Sequence, residues 1–282
     1  AGMAFADWPT SDGHGMLAYP WLESTGDKFL EHGHRLAGML IGVMTLGLTW
    51  FAFARECRPA VRSLVVVILL AVIGQGLLGG SRVVQDERVL AFLHGQFAAC
   101  IFSLMGVLVA MTGRTWLQSS EWIAPARLVR ALWAAMLLVG VLIVQYVLGG
   151  MLRHLGSAQA WLVHPWFAIA VTAAALLFFV AARRTGSATL RRAAAWVVAF
   201  VALQAALGVA TWGVRYGFPQ WGIVAVQQSP LQVSIRSLHK VVGLLTFMTA
   251  VVALVRTAAL LPARKTSDNE IVAPVLMAGG VR

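Results

Sequence analysis

Acidic side chains are scarce in this sequence. Eleven Asp and Glu stand against 22 Lys and Arg, and charged residues of both signs fill only 12% of 282 positions. A soluble globular domain carries about 25%, so the shortfall argues against an ordinary water-facing surface. With 59% hydrophobic residues and a mean hydropathy of +0.78, the chain reads as a membrane protein. Cysteine is nearly absent as well. Cys57 lies in a short basic gap and Cys100 inside an apolar run, at different depths, which argues against a disulfide between them. Residues 1–28 lack the apolar core of a secretory signal. The net charge of +11 is carried by arginines in short gaps between apolar runs, where membrane topology puts them, so no nucleic-acid role is expected.

What the sequence has instead is long apolar runs. A membrane span needs about 20 such residues, and seven runs qualify, near 30–54, 61–80, 89–112, 127–150, 158–182, 193–214 and 236–261. All are expected to be helical, because an open strand cannot satisfy its backbone in lipid. The fold class is therefore an all-α, polytopic bundle. Arg55, Arg58 and Arg62 fill one gap; Arg114, Arg127 and Arg130 another; Arg183, Arg184, Arg191 and Arg192 a third; Arg256, Arg264 and Lys265 cluster at the end of the last span and just beyond it. These fall on one side, the cytoplasmic one by the positive-inside rule. The N-terminus and the gaps at 81–88, 151–157 and 215–235 are then outside, the C-terminus is inside, and the stretch from Lys265 reads as a loose tail.

The spans repeat. "QGLLGG" at Gln75, "QYVLGG" at Gln145 and "QAALGV" at Gln204 share Q-x-x-L-G, each followed on the outer side by an arginine: Arg82, Arg153 and Arg215. Small residues there let a helix or a flat ligand approach the backbone. Histidines recur near the outer ends of other spans: His34, His94, His164 and His239. His34 to His164 is an offset of four spans, as is His94 to His239, which suggests a parallel duplication of a four-helix unit. The expected division is 1–126, 127–264 and a tail over 265–282. The first unit lacks its opening helix, and Ala1–Met3 align with Gly149–Met151, the end of a span.

A single histidine at a membrane interface is ordinarily a polar cap. Two pairs at matched depth suit haem iron held between facing helices; zinc is disfavoured because no Cys or carboxylate completes a tetrahedral set in the second unit, and a proton pathway stays open. Arg82, Arg153 and Arg215 would meet haem propionates at the water boundary. The units differ in "EHGHR". At about 100° per residue, Glu31 and His34 lie roughly 60° apart on one helix face, whereas His32 lies roughly 160° from His34. His32 is thus an interfacial or supporting group. Arg35, four residues from Glu31, can pair with it. The position matching Glu31 in the second unit is Trp161, which cannot move a proton. A reacting haem in the first unit and an electron-transfer haem in the second are expected.

The chain resembles the haem A synthase family through "EHGHR", "ADWP", "LLGGSR", "LAFLHGQFA", "LVHPWFAIAV" and "SLHKVVGLLTF", from Ala1 to about Leu261. The resemblance implies a bacterial cytoplasmic-membrane enzyme that oxidises a ring methyl of haem O to the formyl group of haem A for terminal oxidases. It implies His34 and His94 as ligands of the substrate haem, and His164 and His239 as ligands of a permanent haem b. Glu31 would be the catalytic carboxylate, stabilising positive charge at the methyl carbon or handling protons. Haem O synthase, oxidase assembly factors and a second copy of the chain are the implied partners beside the lipid bilayer. Many members carry a cysteine pair in the first outer loop; "DWPTSDG" has none, which excludes a thiol–disulfide role there. The competing readings are a di-haem cytochrome b type electron carrier, which needs no Glu31, and a transporter, which needs no haem. Haem O synthase itself is disfavoured because the spans hold no Asp-rich diphosphate motif.

Overall fold

A computed structural model describes residues 4–117, 123–222 and 224–261. Ala1–Met3, aligned above with the end of a span, and the tail from Lys265 lie outside the described residues. Seven long helices carry the chain: α1 (Gly26–Arg55), α2 (Pro59–Val84), α3 (Arg88–Thr112), α5 (Pro125–Gly150), α6 (Ala158–Arg184), α7 (Ala188–Tyr216) and α8 (Pro230–Ala259), with a single turn, α4 (Arg114–Leu117), after α3. Each of the seven is long and apolar enough to cross a membrane. The described residues contain no strand, and the architecture is an all-helical membrane bundle, as the apolar runs predict.

The helices begin earlier than the hydropathy runs because polar starting signals extend them. Pro59, Pro125 and Pro230 occupy first-turn positions, where a missing N–H costs nothing. Ser157, Ser187 and Ser229 cap α6, α7 and α8 by accepting from the amides of Ala160, Leu190 and Gln232. α8 therefore starts at Pro230, not at 236. The gap expected at 151–157 is largely helical too: α5 continues through a π-turn over Met151–Leu155 and stops at Gly156, whose φ of +61° is a left-handed conformation suited to glycine.

α5, α6, α7 and α8 close into a four-helix ring, each packing on the next and α8 returning to α5. Their core is rich in alanine (Ala131, Ala135, Ala174, Ala175, Ala194) with Leu138, Phe178 and Val197 fully buried between. Such small residues bring membrane helices close. α1, α2 and α3 pack in sequence, and α3 joins the ring by lying against α8 and α5. Most of α1 between Met39 and Phe53 faces outward with large apolar side chains, as a lipid-facing helix does.

Residues 4–25 fold over the start of α1. Phe5 is buried edge-on against Tyr19, and the Arg35 guanidinium lies 4.9 Å over the Phe5 ring. Trp8, from "ADWP", lies flat against Gly80 of α2, where a β-carbon would collide with its indole. Asp7 accepts from the amides of Asp12 and Gly13 at 3.0 and 2.9 Å. These bonds, and one from the Thr10 hydroxyl, hold its carboxyl down at about 2.

Candidate functional site

The four histidines meet in two pairs. The rings of His34 and His94 lie 6.2 Å apart, centre to centre, with planes 82° apart; those of His164 and His239 lie 6.5 Å apart at 89°. Two imidazoles on opposite sides of one metal ion have centres about 6.2 Å apart, given metal–nitrogen bonds of about 2.0 Å and about 1.1 Å from nitrogen to ring centre. Both pairs therefore fit a shared iron. The described residues contain no convergent group of three or more His, Cys, Asp or Glu. Two-imidazole sites suit an ion whose other ligands a porphyrin brings, and do not suit zinc. Nδ1 of His94, His164 and His239 is buried without a partner, as a nitrogen near an intended ligand can be.

The Q-x-x-L-G repeat builds these sites, a role its sequence did not disclose. Gln75 and Gln145 donate to the backbone carbonyls of His94 and His164, both at 3.1 Å. The amide nitrogens of Gln75 and Gln204 also lie 3.3 and 3.4 Å from Nε2 of His94 and His239. One turn on, the motif glycines Gly79, Gly149 and Gly208 leave room for the same rings: a β-carbon there would lie 3.0, 3.0 and 3.5 Å from Cε1 of His94, His164 and His239. Glutamine and glycine four apart share one helix face, so each repeat is a cradle for one histidine of the next helix.

The surroundings of the pairs differ. Beside His34, Glu31 is 1% exposed and its two oxygens are taken by Arg35 Nη2 at 2.9 Å and the Ala4 amide at 2.6 Å. Arg35 also donates to the carbonyls of Asp7 and Thr10 at 2.9 and 2.6 Å. The expected Glu31–Arg35 pair thus forms, and Arg35 is engaged by the N-terminal segment. His32 is buried among Phe5, Tyr19 and Trp21 and bonds Ser11 Oγ at 3.0 Å, so it fastens the same segment. At the matching place in the other pair, Trp161 donates to the Tyr216 hydroxyl at 2.8 Å and packs on Trp212 at 5.2 Å. That surface is aromatic and holds no carboxylate.

Of the arginines expected at the rim, Arg82 is 9% exposed and its Nε has no partner. Arg153 stands in the π-turn, and Arg215 reaches the Tyr216 hydroxyl at 3.2 Å. Lys240 lies within electrostatic range of both Arg82 and Arg153, and His154 within range of all three. This cationic cluster at the histidine end suits the carboxylates of a porphyrin. The sequence reading missed Lys240 and His154, although each directly follows a residue it singled out, His239 and Arg153.

Residues 4–162 match the family COX15-CtaA, described as cytochrome oxidase assembly protein. A curated relative from Symbiobacterium thermophilum, named Heme A synthase, is 30% identical over 235 residues, covering 72% of this chain and 74% of the relative. The chain belongs to the haem A synthase family. The family match takes in Glu31, His34, His94 and the first two glutamine cradles, and ends just before His164. No solved structure matches.

Proposed function

We propose that this protein is a haem A synthase that oxidises a ring methyl of haem O to the formyl group of haem A. The observation that carries the reading is the pairing of four histidines at iron-spanning separations, with a carboxylate beside only one pair. In this reading His34 and His94 hold the substrate haem, and His164 and His239 hold a resident haem b. Haem b when bound supplies one-electron redox chemistry. The chain's own residues do the rest. Arg82, Arg153 and Lys240 offer cations to the propionates. Arg35 holds the Glu31 carboxylate in place within one turn of His34, where it stabilises positive charge at the methyl carbon or takes its proton. The N-terminal segment fastens Glu31, His32 and Arg35 beside that pair.

The same reading divides the chain at residue 126 into a substrate-haem unit and a haem b unit over 127–264. The closed ring of α5–α8 around one histidine pair supports that division. The alternation of arginine-rich gaps supports a bacterial cytoplasmic membrane with the histidine end outside. A di-haem electron carrier is the competing reading, in which Glu31 only anchors residues 4–25. Pigment extraction and chromatography of the purified protein decides between them. Haem b together with haem O or haem A is expected. Haem b alone, in a host that makes haem O, would remove the synthase assignment.

A further inference from the structure

Among the described residues, the buried amide oxygens Oε1 of Gln75, of Gln145 and of Gln204 have no hydrogen-bond partner. Each belongs to an amide whose nitrogen meets a paired histidine: those of Gln75 and Gln204 lie 3.3 and 3.4 Å from Nε2 of His94 and His239, and that of Gln145 donates to the backbone carbonyl of His164, while each of these histidines keeps Nδ1 buried without a partner. The same two vacant valences, one acceptor and one ring nitrogen, therefore recur three times, in α2 with α3, α5 with α6, and α7 with α8. A neutral imidazole gives one nitrogen to a metal and keeps a proton on the other. Away from water that N–H needs an acceptor, and leaving it bare is unfavourable. Hydrogen bonding to that proton makes the imidazole a stronger donor to the metal and fixes its ring plane.

We propose that Gln204 is a positioning residue for an iron ligand: with its terminal amide turned over, the carbonyl rather than the NH2 meets Nε2 of His239, accepts the imidazole N–H left free by the metal and so sets the ligand strength of His239. The inference rests on the assignment of the histidine pairs to haem. The motif glycine and the glutamine act together, the first making space for the ring and the second orienting it. Gln204 offers the best test because its partner His239 belongs to the pair assigned to resident haem b.

The experiment uses full-length protein, purified from a host that makes haem b but no haem O, with haem b as the probe. Gln204→Met keeps the side chain's length and removes the acceptor. Gln204→Glu strengthens the acceptor. Haem content, the low-spin spectrum and the midpoint potential are read for both. The potential is expected to rise in Gln204→Met and to fall in Gln204→Glu, because a stronger imidazole donor favours ferric iron. A tenfold change in ferric over ferrous preference corresponds to about 59 mV. If Gln204→Met loses its haem, the sign of the shift in Gln204→Glu decides alone. Wild-type potentials in the haem-retaining variants overturn the proposal. Retention of the wild-type low-spin spectrum by His239→Ala would instead overturn the haem assignment beneath it.

Discussion

Gly149 and Gly208 occupy the same place in two copies of one motif, yet alanine should be tolerated at only one of them. A β-carbon at Gly149 would lie 3.0 Å from Cε1 and 3.5 Å from Nδ1 of His164, whereas one at Gly208 would lie 3.5 Å from Cε1 of His239. Carbon atoms rest at about 3.5–4.0 Å, so Gly208→Ala makes an ordinary contact and Gly149→Ala must push the imidazole by several tenths of an ångström. Metal sites tolerate about 0.2 Å in ligand distance, so a ring held by iron cannot absorb that shift. Replacing glycine by alanine inside a helix is favourable by about 1 kcal/mol, while overpacking costs about 1–3 kcal/mol. Gly208→Ala should therefore keep its haem b and unfold slightly later. Gly149→Ala should hold haem b at least about tenfold more weakly, taking about 1.4 kcal/mol for each factor of ten. The measurement is haem per polypeptide after graded detergent washing, with the low-spin spectrum as a check on ligation. Equal haem loss in the two variants, or none in Gly149→Ala, refutes the cradle geometry.

Four further outcomes follow from the site. Glu31→Ala should keep bound haem and stop formation of the formyl product, and normal product yield in chromatographed pigments removes its catalytic role. His164→Ala and His239→Ala should each lower haem b content; unchanged spectra in both would mean that this pair is not the ligand set. Arg35→Met leaves the buried Glu31 carboxylate with the Ala4 amide alone, and breaking a buried pair in this way costs about 3–5 kcal/mol, read as a lower midpoint in thermal unfolding. The Asp7 carboxyl is held down at about 2, below its ordinary 3.8. A depressed carboxyl stabilises the fold above its unfolded value and loses that contribution as pH falls through the lowered one. Protection factors of the amides in residues 4–25, corrected for the intrinsic exchange rate at each pH, should therefore be flat above pH 4 and fall only between about 4 and 2; a fall near pH 6 would point to another group.

The seven spans were legible because each is a run long enough to cross lipid. Their ends were not, since Ser229 with Pro230 begins α8 inside what hydropathy reads as loop, and the π-turn carries α5 past Gly150. The ion pair of Glu31 with Arg35 was legible because a four-residue spacing on a helix fixes it. The pairing of the histidines could be guessed from the four-span offset, but which face each ring presents depends on how whole helices lean together. The glutamines show the same limit: their spacing was visible, while their partners lie in other helices. The covering of α1 by residues 4–25 left no local signature, because it rests on contacts such as Ala4 to Glu31 and Trp8 to Gly80 between a polar segment and distant backbone.

The seam between α3 and α8 has a consequence for how the two halves operate. α3 bears His94 and α8 bears His239, and the two rods lie directly against each other. Gly106 of α3 lies so close to Met248 of α8 that a β-carbon there would collide with it, so packing this tight means that a tilt of α3 must displace side chains of α8. In the proposed reading, each histidine pair therefore has the helix of the other pair as its immediate neighbour.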